Sequence, residues 1–308
     1  RDRKNGDRGA LLYLLLTTAV SVALIAANFL LGMPIPFTVH FLIAYVGSLL
    51  VFVVWHALLT KGWRRSLLLL GISFVVAFAA EALGVNFGLV FGRYYYTEAL
   101  GVRLFGVPLL AALAWEPIIY AAFSITDILA PSLVNRSSPW PQRLPAYLWM
   151  AGVGALATTA WYMMIDPIAV HQGWWVWLDG GPYVPYVANG VPIDNFVGWL
   201  GVSFAINLAY RLIADPAPHP RRSLNLSIYG PLLLYSSLFL TAAGVAATIL
   251  RRPEVALVGL LAMGPFIAIA LTNINLVQRG LAVLLGEGWL EVEADGPRYE
   301  PTHAGRGR

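Results

Sequence analysis

The feature that most constrains this chain is a series of long apolar segments, several of which reach the roughly 20 residues that a helix needs to cross a bilayer. Backbone groups in lipid must be satisfied within the segment itself, so these runs are expected to be helices. The chain is 58% hydrophobic and 12% charged, about half the charged fraction of a soluble domain. These properties predict an all-α, polytopic membrane helix bundle. We expect eight spanning helices, at residues 11–31, 37–59, 66–84, 105–130, 144–164, 194–213, 228–250 and 255–277.

The positions of the basic residues predict the orientation of this bundle. With the N-terminus on the cytoplasmic side, most of the 20 lysines and arginines fall in cytoplasmic segments. The exceptions, on the outer side, are Arg93, Arg103, Arg251 and Arg252. Because the Lys and Arg bias sets topology, we expect both termini to be cytoplasmic. The pI of about 9.4 then reflects loop topology, and no nucleic-acid partner is predicted.

The chain is expected to contain one membrane domain and a tail. Residues 1–278 form the predicted transmembrane domain, whose two long outer-face loops are 85–104 and 165–193. Residues 279–308 begin with an amphipathic patch and end polar and Gly-rich. This composition predicts an interfacial helix followed by a partly disordered segment.

Glu81 lies near the outer end of the third predicted helix. A carboxylate at membrane depth costs about 2.5–3.5 kcal/mol on insertion scales, so Glu81 is expected to have a partner or a catalytic role. Arg93 could supply that partner in a structural ion pair. The three tyrosines Tyr94–Tyr96 could form an interfacial belt, but three consecutive rings cannot all face lipid. At least one of them is therefore expected to point inward.

Glu116 lies in the middle of the fourth predicted helix and is the most deeply placed acid. Pro117 follows it, removes a backbone donor and frees carbonyls that need partners. Two interpretations remain open. Glu116 could take part in catalysis, or it could be neutral and satisfy the backbone at the proline.

The second outer loop combines acids with tryptophans. We expect Asp166 to end the fifth helix, because a residue before Pro167 is pushed out of the α region. Asp194–Asn195 opens the sixth helix, where either residue could be a plain N-cap. Trp175 and Trp177 could belong to an interfacial belt, or they could offer their ring faces to a cation.

Several classes of chemistry are excluded by what the sequence lacks. It has no Cys, which excludes disulfides, Fe–S clusters and thiol catalysis. Lys4 and Lys61 are the only lysines and neither is deep in a helix, which excludes a retinal Schiff base. The five histidines have no paired spacing, and there is no Asp-rich diphosphate motif, P-loop or GxGxxG. We therefore predict no metal and no cofactor. Acids beside aromatic rings suit proton-driven chemistry on an apolar substrate.

Three sequence blocks within residues 81–199 stand out. The first is Glu81-x-x-Gly84 with Phe91-Gly92-Arg93-Tyr94-x-Tyr96 and Leu100-Gly101, and the second is Gly106-Val107-Pro108-Leu109 with Ala114-Trp115. The third is Asp166-Pro167 with Gly173-x-Trp175-x-Trp177, Gly190-Val191-Pro192, Asn195-Phe196 and Gly198-Trp199. As a set they resemble the bacterial and archaeal carotenoid biosynthesis membrane proteins that include the carotenoid 1′,2′-hydratases. The chain departs from that pattern at Tyr162, where members often have Asp, and by a longer connection at 183–189.

The resemblance implies a cofactor-independent hydro-lyase in the cell (inner) membrane of a prokaryote. Its activity would be hydration of the terminal C1′=C2′ double bond of an acyclic carotenoid end group. The expected partners are the carotenoid, the lipid bilayer and other enzymes of the carotenoid pathway. Two alternatives stay open: a carotenoid-binding or assembly subunit without turnover, and an end-group cyclase.

In the hydratase interpretation, Glu81 or Asp166 donates a proton to C2′ and aromatic rings hold the tertiary cation at C1′. Asp194 or the remaining acid guides the water, while Arg93 tunes the acids or anchors its loop. The candidate catalytic residues are Glu81, Asp166, Asp194 and Glu116. The candidate substrate-binding residues are Arg93, Tyr94, Tyr96, Trp115, Trp175, Trp177, Asn195 and Trp199.

Overall fold

The computed structural model describes residues 2–33, 39–129, 139–178, 181–186, 190–214 and 228–278. Within these residues it contains eight helices long and apolar enough to cross a membrane, which confirms the predicted helix bundle. The helices are α1 (Asp2–Leu31), α2 (Val39–Lys61), α3 (Trp63–Phe87), α4 (Leu109–Leu129), α5 (Trp140–His171), α6 (Ile193–Ala214), α7 (Tyr229–Gly244) and α8 (Pro253–Gln278). A π-helical turn, Val245–Ile249, continues α7. The predicted tail at 279–308 and the basic connections at 130–138 and 215–227 lie outside the described residues.

The structure contradicts the prediction that the fifth helix ends at Asp166 and that the outer loop begins at residue 165. α5 runs through Asp166 and Pro167 and ends at His171. Proline at position 167 cannot donate to the carbonyl of Met163, four residues earlier. The Tyr186 hydroxyl, from the following connection, donates to that carbonyl at 3.2 Å. The helix therefore continues because a loop side chain replaces the lost backbone donor, as proline in a membrane helix requires.

α4 is the central helix of the bundle. In the apolar 18-residue stretch of α4 that could cross the membrane, 72% of the residues are buried inside the structure, against 22% in the corresponding stretch of α8. On one side α1 packs against α2 and α7, and on the other side α6 packs against α3 and α5. Side chains of α4 thus meet two groups of helices, and a site beside this helix can draw residues from both.

The two long connections meet at one end of the bundle, where α3 and α5 end and α4 and α6 begin. We call this the loop end. Strand β1 (Tyr94–Tyr96) pairs antiparallel with β4 (Trp175–Trp177). The Thr97 hydroxyl donates to the Gly173 carbonyl at 2.6 Å beside this pairing. A second hairpin pairs β2 (Arg103–Leu104) with β3 (Val107–Pro108). The segments around Glu81 and Asp166 are therefore fixed to each other by backbone hydrogen bonds.

The opposite end carries an ion pair between α4 and α6. The Arg211 guanidinium donates to Asp127 at 3.0 Å and is only 1% exposed. It also lies 4.2 Å from the centre of the Phe123 ring. Asp127 is 25% exposed, so the pair is only partly shielded from solvent, and it links the two helices at this end. Trp115 and Trp199 meet on the same two helices at the loop end.

The approach of α6 to the loop after α3 depends on Gly198. A Cβ at this position would overlap the Val90 carbonyl oxygen and lie 2.7 Å from a Phe91 ring carbon. Val90 has a φ of 71°, a strained conformation for a β-branched residue, so the backbone has little freedom to move away. Close packing here therefore requires glycine.

We expect Gly198→Ala to destabilise the protein by about 1–3 kcal/mol, the usual cost of overpacking. The measurement is thermal unfolding in detergent, followed by far-UV circular dichroism. The matched control is Gly201→Ala on the same helix, where an added Cβ meets nothing within 4 Å. In that variant alanine's higher helix propensity is expected to leave stability unchanged or raise it. Equal melting temperatures for the two variants would contradict the proposed contact.

Candidate active site

A cavity of about 150 Å³ lies at the loop end of the bundle. Helices α1 to α7 all contribute to it, each from the part nearest the loop end. Two parts differ in chemistry. The acidic end is formed by Glu81, Asp166, Asn195, Tyr94, Tyr96, Trp115, Tyr162 and Trp199. The apolar arm is formed by Leu24, Ile25, Phe41, Leu42, Leu238 and Ala242, on α1, α2 and α7.

Glu81 is buried at the acidic end, with 2% of its surface exposed. Its Oε2 accepts hydrogen bonds from the hydroxyls of Tyr94 and Tyr96, the second at 2.8 Å. Its Oε1 accepts one from the Trp115 indole nitrogen at 3.0 Å. The partners of Glu81 are thus three aromatic side chains rather than Arg93, the alternative considered from the sequence. Burial disfavours the charged form of this group, and the donors from β1 and α4 oppose that effect by stabilising the carboxylate.

The alternation of the β1 strand places these donors. Tyr94 and Tyr96 are buried, whereas Tyr95 between them is 45% exposed. This confirms the expectation that the three tyrosines do not share one environment. Burial, and then the charge of Glu81, raises the pKa of the Tyr94 and Tyr96 phenols well above the ordinary value. Both therefore remain protonated donors across the physiological pH range.

Gly84 explains how Tyr94 reaches Glu81. It lies one turn further along α3, and a Cβ there would be 2.9 Å from the Tyr94 ring. A side chain at this position would push the phenol away from the carboxylate. The spacing Glu81-x-x-Gly84 therefore leaves room for the hydrogen bond from Tyr94 to Glu81.

Asp166 is the second buried acid, with 1% of its surface exposed. The Asn195 amide donates to its Oδ2 at 2.5 Å. The charge of Glu81 acts on Asp166, so the two carboxyls share one electrostatic environment. The structure gives Asp166 one hydrogen-bond donor where it gives Glu81 three.

A stack of rings lines the cavity beside these acids. The rings of Trp115 and Trp199 stack with centroids 3.7 Å apart, and Tyr162 stacks on the other side of Trp199. Phe91 packs against Trp199 at 5.2 Å. Trp177 lies 4.9 Å from Tyr94, across the β1–β4 pairing. The acidic end is therefore an aromatic enclosure around two carboxyls.

Three predicted site residues lie elsewhere. Glu116 is buried in α4, but it is not among the lining residues of the cavity. Asp194 is exposed in the first turn of α6, where an acid complements the helix dipole. Arg93 is exposed just before β1 and is likewise outside the lining. The other nine candidates, Glu81, Asp166, Tyr94, Tyr96, Trp115, Trp175, Trp177, Asn195 and Trp199, all line the cavity.

Reasoning from the sequence missed several lining residues. Three of them are Phe91, Trp161 and Trp174, which lie within or near the quoted blocks. The sequence did not reveal that these side chains are buried beside an acid. Tyr162 entered only as a departure from a family pattern, although its ring is part of the stack. The apolar arm left no signal, because its residues look like any lipid-facing sequence.

Among the described residues, no group of three or more His, Cys, Asp or Glu is placed to hold a metal ion. The fold and the site together define a polytopic membrane protein with a buried acid–aromatic cavity at one end. Residues 37–265 match the family model described as carotenoid biosynthesis protein. Since the match covers more than half of the chain, the protein belongs to the carotenoid biosynthesis protein family, and its role is in carotenoid biosynthesis. Searches of curated proteins and of solved structures return no match.

Proposed function

We propose that this protein hydrates the terminal C1′=C2′ double bond of an acyclic carotenoid end group. One observation carries the proposal. Two buried carboxyls, Glu81 and Asp166, share a cavity lined by aromatic rings. Membership of a carotenoid biosynthesis family supports an apolar polyene as the substrate.

Addition of water to such a bond requires a tertiary carbocation, and the cavity has the groups that stabilise one. A carboxylate offers opposite charge, and ring faces attract a desolvated cation with about 2 kcal/mol or more. Among the described residues that line the cavity, none is lysine, arginine or histidine. A developing positive charge at C1′ therefore meets attraction and no fixed repulsion.

The hydrogen bonds support different roles for the two acids. Glu81 accepts from three donors, which favours its carboxylate form, so we assign it the stabilisation of the cation. Among the residues that the structure describes, Asp166 accepts only from Asn195, so we assign it the acidic proton. A carboxyl that carries a proton beside an apolar substrate is suited to act as a general acid.

The steps balance without another reactant. Asp166 donates its proton to C2′, and the π electrons of the double bond form the new C–H bond. The cation at C1′ is held by Glu81 and the rings. Water then forms a C–O bond at C1′, and its surplus proton returns to Asp166. The product is a tertiary alcohol and the acid is regenerated.

The polyene would enter from lipid, with its end group between the acids. Leu24 of the apolar arm lines the cavity and is 40% exposed at the outside of the bundle. The remaining chain is expected to leave along α1, α2 and α7, where most of the lining is apolar.

The test is expression in a host that makes an acyclic carotenoid, followed by chromatography and mass analysis of the pigments. Hydration predicts a product heavier by one water molecule. A product of unchanged mass and altered retention would indicate a cyclase instead. Unchanged pigment that purifies with the protein would indicate a carrier, and both outcomes would contradict the proposal.

A further inference from the structure

Resting on the proposed function, we infer that the acidic end and the apolar arm together form a receptor for tertiary ammonium ions that carry one long hydrocarbon chain. The cavity has an anionic, aromatic region on α3 to α6 and a mainly apolar region on α1, α2 and α7, where Ser21, Tyr45 and Thr241 also reach the lining. An ammonium ion with one long chain has two matching parts, a positively charged head and an apolar tail. This ligand class is not an intermediate of the reaction, so its binding can be measured without turnover.

The acidic end has capacity for one more hydrogen bond. An ionised carboxylate offers about four acceptor sites, and three donors occupy Glu81. The N–H of a protonated amine can use the remaining site. The surrounding donors are phenols and an indole, which carry no charge that would oppose a cation.

Aromatic rings supply the second attraction. Tyr94 and Trp177 lie 4.9 Å apart with their planes 47° to each other, and Tyr96 meets Trp175 edge to face. Rings inclined in this manner direct their electron-rich faces along different directions. Aromatic enclosures of this type recognise alkylated ammonium groups, and the attraction grows when water is excluded.

The shape of the ligand follows from the proposed intermediate. A dimethylammonium group on a CH2 has the same heavy-atom arrangement as the dimethyl carbocation at C1′ beside C2′. A site complementary to the cation binds a stable mimic of that cation more tightly than it binds a neutral molecule. The matched neutral compound is the 2-methylalkane of the same length.

The apolar arm predicts a dependence on chain length. Leu42 and Leu238 are buried in this part of the cavity, on α2 and α7. Each added CH2 that enters the arm leaves water or lipid for a packed protein surface. Affinity should therefore rise with chain length until the arm is filled, and then stop rising.

The experiment is calorimetric titration of the full-length protein in lipid nanodiscs with N,N-dimethylalkylamines of increasing length. Empty nanodiscs are titrated in parallel to subtract partition into lipid. We expect saturable binding at least about tenfold tighter than that of the matched 2-methylalkane. Equal affinity for the amine and the hydrocarbon, or no saturable heat beyond the empty nanodisc, would overturn the inference.

Two variants locate the binding. Glu81→Gln removes the anion and should weaken binding of the amine about tenfold or more. Glu98→Gln, a 94% exposed carboxylate in the connection that follows α3, should leave the affinity unchanged. An effect of equal size in both variants would point to surface charge and contradict the inference.

The outcomes separate this inference from the proposed function. Amine binding without any hydrated pigment would contradict the hydratase proposal and leave the cation receptor intact. Hydrated pigment without a preference for the amine would contradict the receptor and leave the hydratase proposal intact. The wild-type comparison needs no variant, so it stands even if Glu81→Gln fails to fold.

Discussion

Replacing Glu81 by glutamine is expected to lower hydration about 100- to 1,000-fold, the usual contribution of a group that stabilises charge in the transition state. Glutamine keeps the shape and can still accept from the Trp115 indole nitrogen, but it loses the negative charge that faces the cation. Its amide would also present donors to the Tyr94 and Tyr96 hydroxyls, which donate to this position. The measurement is the initial rate of product formation by purified protein in lipid vesicles.

The control for this variant is Glu98→Gln. Glu98 lies in the connection that follows α3 and pairs with Arg103 at 2.9 Å on the surface. Exposed ion pairs contribute little to the free energy of unfolding, so this variant should retain the wild-type rate and melting temperature. A Glu81→Gln enzyme with more than about a tenth of the wild-type rate would contradict a role for Glu81 in the reaction, given the contribution expected of a charge-stabilising group.

Asp166→Asn should reduce the rate by a similar factor, about 100- to 10,000-fold, for a different reason. Asparagine cannot donate a proton to an alkene, but it can still accept the hydrogen bond from Asn195. The fold should therefore be retained. Because Asp166 is assigned the neutral acid, this variant should bind the dimethylalkylamine almost as tightly as the wild type does.

The matched control is Asp194→Asn, a carboxylate one residue before Asn195 that is exposed at the start of α6. Asparagine is also a good residue at a helix N-terminus, so stability and rate should stay close to the wild type. If Asp166→Asn loses amine affinity as well as its rate, while Glu81→Gln keeps its amine affinity, the two acids have the opposite roles. If Asp194→Asn shows the larger loss, the water-guiding role considered for Asp194 from the sequence is correct.

Composition and the spacing of the apolar segments were sufficient to predict the fold. A long apolar segment in lipid can satisfy its backbone hydrogen bonds in few ways, and a helix is the simplest of them. All eight helices were predicted, although several extend beyond the expected ends. The clearest difference is in α5, where the rule for residues before proline failed at Asp166. Tyr186, twenty-three positions after Met163, satisfies the freed carbonyl. A local rule cannot include a hydrogen bond that only the folded loop provides.

Glu81 was predictable from the cost of placing a carboxylate in a membrane, but its partners were not. An ion pair with Arg93 was one alternative considered for Glu81, since opposite charges attract. The structure instead brings Tyr94, Tyr96 and Trp115 to it, because strand alternation and Gly84 set which side chains arrive. Which buried acid faces a cavity depends on helix rotation, and for that reason Glu116 could not be separated from Asp166 by sequence.

The most direct test of the central claim uses purified protein, lipid vesicles and an acyclic carotenoid in water enriched in oxygen-18 or deuterium. Hydration predicts one oxygen-18 atom in the tertiary alcohol, and in heavy water one deuterium bonded to C2′. Both labels should disappear in Asp166→Asn. A carotenoid recovered unchanged, or a product that contains no oxygen from water, would contradict the account.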